Sequence, residues 1–189
     1  LFHHIRKICP FYTLPPLVPK DMLLYKRRFN KLNSLNGGEV QMYFIDSKKI
    51  TKNLVYMDSL LQTFETTTDW KQDTVHELAA ARIANVLIEA VIDVGNTLID
   101  GFIMRDPGSY DDIIDILVDE KVVTTDMEAP LKALISHRRV LVRDILEVDI
   151  DALLVTMKEV LPNLKQFKPS VEKFVERESG IVVTAFIPE

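Results

Sequence analysis

Three arginines, Arg138, Arg139 and Arg143, stand among Val140, Leu141, Val142 and Ile145 in the stretch SHRRVLVRDI. A guanidinium is planar, carries five N–H donors and stays protonated in proteins, so these residues can grip a phosphate or carboxylate but cannot exchange protons. His137, immediately before them, is the one neighbouring side chain that titrates near neutrality. A second polar set, Glu89, Asp93 and Asn96, is spaced by four and three residues and therefore shares one helical face. Set into an otherwise apolar helix, such groups need partners if they are buried. Two readings of the pair of clusters stay open. In one, the arginines form a phosphate clamp and the polar set is the wall of its cleft. In the other they pair with carboxylates, for example Arg143 with Glu147 at i,i+4, for a few tenths of a kcal/mol. Arg138 and Arg143 lie about 140° apart around a regular helix, so they converge only through a distortion, a ligand or a second subunit.

Other chemistries find little support. From Met42 onward the only histidines are His76 and His137, with no His-x-x-x-His or clustered cysteines, which argues against a zinc or haem enzyme. Gly37-Gly38 and Gly101 do not make a Gly-rich phosphate loop, and no serine sits in a nucleophile elbow. Cys9 is the single cysteine, so no internal disulfide forms; a reducing cytoplasm is the expected compartment. No apolar run approaches the ~20 residues of a membrane helix.

The elements that must position the two clusters are helical. Asp46 caps a helix over roughly 47–66 with a stripe of Ile50, Leu54, Met57, Leu61 and Phe64. A long helix over roughly 71–100 carries Leu78, Arg82, Leu87, Val91, Val94 and Leu98, and its centre is apolar over more than one stripe, which predicts burial between several partners. Gly101 is expected to end it and Pro107-Gly108 to forbid its continuation. Ser109 with Asp112 opens a short helix through about Val118. Thr125 with Glu128 opens another that runs through Leu131, Leu134, Ile135, Val142 and Ile145, with Pro130 disturbing its start. Asp149 caps a last helix carried by Leu153, Leu154, Met157, Val160, Leu161 and Leu164, with a kink expected near Pro162. The sum is an all-α antiparallel bundle of four to five helices.

The charge is uneven. Of 23 Lys/Arg and 28 Asp/Glu, residues 1–41 take seven and two, which leaves the remainder at net −10. So acidic a body repels nucleic acid on average, and any RNA contact must be local. Residues 1–41 also hold four of nine prolines and show no helical or strand period. They are read as a basic, irregular extension ahead of a native start at Met42, followed by a helical domain over 42–177 and a β-prone tail over 178–189.

From Met42 to about Phe167 the chain resembles the HepT-like ribonucleases of the HEPN superfamily. The resemblance rests on Asp93-Val94-Gly95-Asn96, on Gly101 followed by PGSYDD, and on RRVLVRDI, which stands where the family has Arg-Asn-x-x-Val-His-x-Tyr. It implies metal-free RNA cleavage with no cofactor, in which the signature His exchanges protons and the signature Arg holds the scissile phosphate. It also implies a homodimer whose two signatures face a shared groove, and a small nucleotidyltransferase antitoxin that modifies the signature Tyr. On this chain the catalytic candidates are Arg138, Arg143 and His137, the phosphate-binding candidates Arg138, Arg139 and Arg143, and the cleft wall Glu89, Asp93 and Asn96. Arg138 keeps the signature Arg. Arg139 replaces Asn, Arg143 stands at the His position and Ile145 at the Tyr position. Arginine cannot act as a general base, so weak or lost ribonuclease activity with retained RNA, nucleotide or partner binding is expected. The alternatives are a purely structural helical dimer and an active endoribonuclease that uses His137.

Overall fold

The computed structural model describes residues 46–179. The extension over 1–41 and the tail beyond Ser179 therefore lie outside the described residues. Between them run α1 (Ser47–Thr66), α2 (Thr74–Gly101), α3 (Tyr110–Asp119), α4 (Thr125–Ser136), the five-residue α5 (Arg138–Val142), a 3-10 turn (Ile145–Glu147) and α6 (Ile150–Ser179). No described helix is long and apolar enough to cross a membrane.

Four of the six helices begin where a side chain accepts from one of the first free N–H groups. Asp46 accepts from the Lys49 amide, Asp73 from His76, Ser109 from Asp112 and Asp149 from Ala152. The stripe Ile50, Leu54, Met57, Leu61 and Phe64 is buried in full. α2 is the central helix and contacts α1, α3, α4, α5 and α6. That explains why its sequence is apolar on several sides: a helix with so many neighbours has little face left for water. Leu78 and Arg82, expected among its members, lie exposed near the N-terminal end of α2.

Gly95 is where α2 and α3 come closest. A methyl group there would sit 2.5 Å from the Ile113 side chain, so only glycine allows α3 to lie at this depth. α6 runs antiparallel to α1, joined by Lys165–Glu65 and Lys168–Asp58 ion pairs, and closes the core with Phe167, Val171 and Phe174. It stays helical through Pro162 and Pro169, whose rings face solvent, where water can take the carbonyls that lose their partners.

α2 ends at Gly101, as expected, and the left-handed residue that follows is Ile103 at φ 55°, with Met104 N–H bonded to the Ile99 carbonyl at 2.9 Å. Lys121 takes the same role after α3 at φ 59°. Two expectations about the chain's path need correction. Thr124, not Thr125, is the cap residue of α4, and its side chain makes no capping hydrogen bond. Finally, the single helix expected from Thr125 to about Ile145 is broken. α4 ends at Ser136, α5 ends at Val142, and the chain passes through a 3-10 turn before α6. The apolar positions explain the break. Leu131, Leu134 and Ile135 are buried, but Val142 and Ile145 are exposed, so the core ceases to hold the chain on a helical path beyond Leu141.

Candidate functional site

The arginine cluster sits on this broken segment. The His137 N–H bonds to the Leu134 carbonyl at 3.2 Å, and its own carbonyl accepts from Leu141 at 3.0 Å. His137 is thus the joint between α4 and α5. One turn later the Arg143 N–H closes on the Arg139 carbonyl at 2.8 Å, and Arg143 ends α5.

Arg138 points back at the bundle and is held from two sides. Its Nε lies 2.9 Å from Glu89 Oε1, and its terminal nitrogen donates to Glu89 Oε2 at 3.3 Å. The Nε–H is buried and not aligned on that oxygen, so the closer contact is ionic in character. The guanidinium carbon also sits 4.3 Å from the centre of the Tyr110 ring, within range of a cation–π attraction worth about 0.5–2 kcal/mol. Tyr110 is the first residue of α3, and the loop ahead of it is stapled. Arg105 grips Asp112 with two hydrogen bonds of 2.9 and 2.6 Å, and the Gly108 N–H donates to the same carboxylate at 2.7 Å. These contacts, the Arg105 guanidinium foremost, hold the Asp112 carboxyl down at about 2. Two of the segments that carry the family resemblance, PGSYDD and RRVLVRDI, therefore meet at one guanidinium, and the third, Asp93–Asn96, bears on it only through the packing of α3. α2 supplies Glu89 and, through Gly95, the seat of α3; the stapled loop supplies Tyr110; α5 supplies Arg138.

The other candidates are placed differently. Arg139 is largely exposed and pairs with Asp144 at 3.2 Å. Arg143 is exposed and has no ion pair among the described residues. The expected Arg143–Glu147 pair is not made, because the helix that would have spaced them four apart has already ended. Asp93 is exposed and Asn96 half-buried, and neither side chain makes an ion pair or hydrogen bond among the described residues; of the polar set on α2, Glu89 alone reaches an arginine. His137 Nε2 lies 3.0 Å from the Thr156 hydroxyl, which itself donates to the Ala152 carbonyl at 3.1 Å. The ring nitrogen and the hydroxyl are thus hydrogen-bonded partners, with donor and acceptor set by the ring's tautomer. Burial lowers the His137 pKa and Asp149 partly opposes it. Beside the cluster, Val142, Ile145 and Leu146 are exposed, Leu146 at 98%.

Tyr110 and Thr156 went unassigned in the sequence, although Tyr110 stood inside the quoted PGSYDD segment. A Tyr at the head of a helix is ordinarily a surface residue, and only the folding of α3 onto α2 brings it to Arg138. No group of three or more His, Cys, Asp or Glu among the described residues is arranged to hold a metal ion.

A central apolar helix, a stapled loop and an arginine-bearing break before the last helix define an all-α bundle of the HEPN type. The chain belongs to the family described as Ribonuclease HepT-like, whose model matches residues 50–171. It is 48% identical over 141 residues to YutE of Bacillus subtilis (strain 168), a provisionally designated RNase, across 75% of this chain and 97% of that one. The solved structure of YutE, described as a cytosolic protein of unknown function, superposes with a TM-score of 0.72 and covers 77% of this chain and 100% of that one. A Shewanella oneidensis HEPN toxin, solved in its tri-AMPylated form in complex with an MNT antitoxin, shares the fold at a TM-score of 0.59 and 19% identity, over 66% of this chain and 97% of that one. A toxin–antitoxin structure with AMP-PNP does so at 0.61 and 18%, over 67% and 99%.

Proposed function

We propose that this HepT-like protein binds RNA phosphate at the α4–α5 break and has little or no capacity to cleave it. The observation that carries the proposal is the state of Arg143. It occupies the position at which the family resemblance puts a proton-exchanging imidazole, and it is exposed with no counter-charge among the described residues. A cation so placed attracts an anion and cannot take a proton from a 2′-hydroxyl. Arg138 adds a second, fixed donor group. His137 supports the rival reading of an active endoribonuclease least well, because one ring nitrogen is already occupied with Thr156.

The acting form is a homodimer, supported by the exposed Val142, Ile145 and Leu146 beside the arginines; an apolar group this size at a functional site is commonly covered by another chain. The family link to toxin–antitoxin complexes supports a nucleotidyltransferase antitoxin as a further partner, though Ile145 gives it no hydroxyl to modify. The cytoplasm is the compartment where RNA and such a partner are met.

The test is a single-stranded RNA oligonucleotide with the full chain in chelator at low salt. Binding with the RNA intact is expected, weakened in Arg143→Ala, with a salt dependence shallower by about one phosphate contact. Undetectable affinity at low salt, with Arg143→Ala instead dissociating the dimer, establishes the purely structural reading. Metal-free cleavage lost in both Arg138→Ala and His137→Ala establishes the enzyme.

A further inference from the structure

We propose that Tyr110 and Glu89 are positioning residues: together they preset the Arg138 guanidinium for an RNA phosphate, a role that rests on the RNA-binding reading above. The geometry separates two kinds of arginine in one cluster. Arg143 is an exposed cation on the end of α5, with no ion pair among the described residues. Arg138 is three-quarters buried at the side chain, with one ring face against it and a carboxylate on its Nε side. A free arginine gives up about 2 kcal/mol of rotamer freedom when it is fixed on a ligand. Arg138 has given up that freedom on folding, so a phosphate that meets it does not have to order it again. Glu89 faces the Nε side and one terminal nitrogen, and the Tyr110 ring covers one face. The N–H groups not directed at Glu89 are the ones left for an incoming oxygen, and a planar fork held in this way offers paired donors in one direction.

Glu89 also cancels much of the Arg138 charge. Long-range attraction of RNA then falls to Arg143, whereas Arg138 contributes through the placement of its donors. The loop that leads into Tyr110 is pinned by the staple, in which Asp112 holds both Arg105 and the Gly108 amide. The sequence distance between PGSYDD and RRVLVRDI is thereby bridged by one ring-to-guanidinium contact.

The test is a double-mutant cycle on the full chain, with affinity for an unstructured oligoribonucleotide measured at low salt. Tyr110→Leu is expected to weaken binding about 2- to 30-fold, the span of a cation–π contact, and Tyr110→Phe to bind like the parent chain. In an Arg138→Ala background, Tyr110→Leu is expected to change nothing further, because the ring acts through the arginine. The Arg138 Nε–H proton resonance, shifted by the ring current of Tyr110, is expected to move in Tyr110→Leu and stay in Tyr110→Phe. An equal loss from Tyr110→Leu in both backgrounds overturns the proposal, since the ring then touches RNA or the fold directly. No loss in either background, with Arg138→Ala still weakening binding, also overturns it and leaves RNA binding standing. If Arg138→Ala and Arg143→Ala both bind RNA like the parent chain, the RNA-binding reading falls, and this proposal with it.

Discussion

α2 and the segment from Arg138 to Glu147 are both rich in Val, Leu and Ile, yet they use them in opposite ways. α2 buries thirteen of its residues and is packed by five other helices, whereas α5 and the 3-10 turn bury none. In α2 the polar residues are few and sit at the edge of a closed core. In the broken segment Val142, Ile145 and Leu146 are outside, as are Arg139 and Arg143, while the charged Arg138 turns in toward α2. Close packing makes the first region stable and inert. The second is held by an ion pair, a ring contact and one histidine joint, which is the looser kind of structure that a binding site can use.

The contrast is broken most severely at Leu87, which is fully buried in α2. Leu87→Ala is expected to lose about 2–5 kcal/mol of unfolding free energy in urea titration. A loss below 1 kcal/mol would mean that α2 is not the rigid element to which the site is attached. Gly95→Ala comes next. The added methyl meets Ile113 at 2.5 Å, and a cost of about 1–3 kcal/mol is expected from overpacking. Because α3 must move to admit it, the Arg138 Nε–H resonance should shift as well; an unchanged spectrum would show that α3 does not depend on this contact to present Tyr110. Ile103→Gly should act in the other direction. A β-branched residue at φ 55° is strained, and glycine there is expected to stabilise the fold by about 1 kcal/mol, read as a higher urea midpoint.

Much of this arrangement was readable from the sequence, for a definite reason. Where the core decides, apolar spacing reports it: the α1 stripe from Ile50 to Phe64 is buried residue for residue, and Asp46, Ser109 and Asp149 cap the helices that they precede. The site segment was legible only as a list of residues. Val142 and Ile145 continue a helical period on paper, but no helix among the described residues covers them, so periodicity overstated the helix there. The end of α2 at Gly101 was legible, whereas the left-handed turn that follows falls on Ile103, where no glycine announces it. Of the polar set on α2, the spacing placed Glu89, Asp93 and Asn96 on one face but carried no information about which of them an arginine would reach. That depended on the α4–α5 break, a tertiary feature.

Smaller effects sharpen the comparison. The His137 pKa is lowered below its ordinary 6.5 by burial, so the unfolded chain binds the proton more tightly than the folded one. The corresponding stability is complete above pH 6.5 and is lost as pH falls from there through the lower folded value. A chemical-shift titration of His137 is expected to show a midpoint below 6.5; one above it would place a carboxylate closer than Asp149 now stands. Least affected should be the fold of Leu146→Asp, since that side chain is 98% exposed. Its helical content and the unfolding of the dilute protein should stay within about 0.5 kcal/mol, while the mass measured by sedimentation falls if the patch joins two copies. An unchanged mass would remove the patch from the dimer.

The most direct test follows one reaction with two readouts, RNA affinity and RNA integrity, in chelator with the unaltered chain and with Arg143→Ala. Salt-sensitive retention of full-length RNA by the unaltered chain, lost or weakened when Arg143 is removed, is the predicted result. Rapid metal-free scission by the unaltered chain, abolished in Arg143→Ala, would contradict it, because a side chain that never gives up its proton would then be indispensable to a reaction that requires one to move.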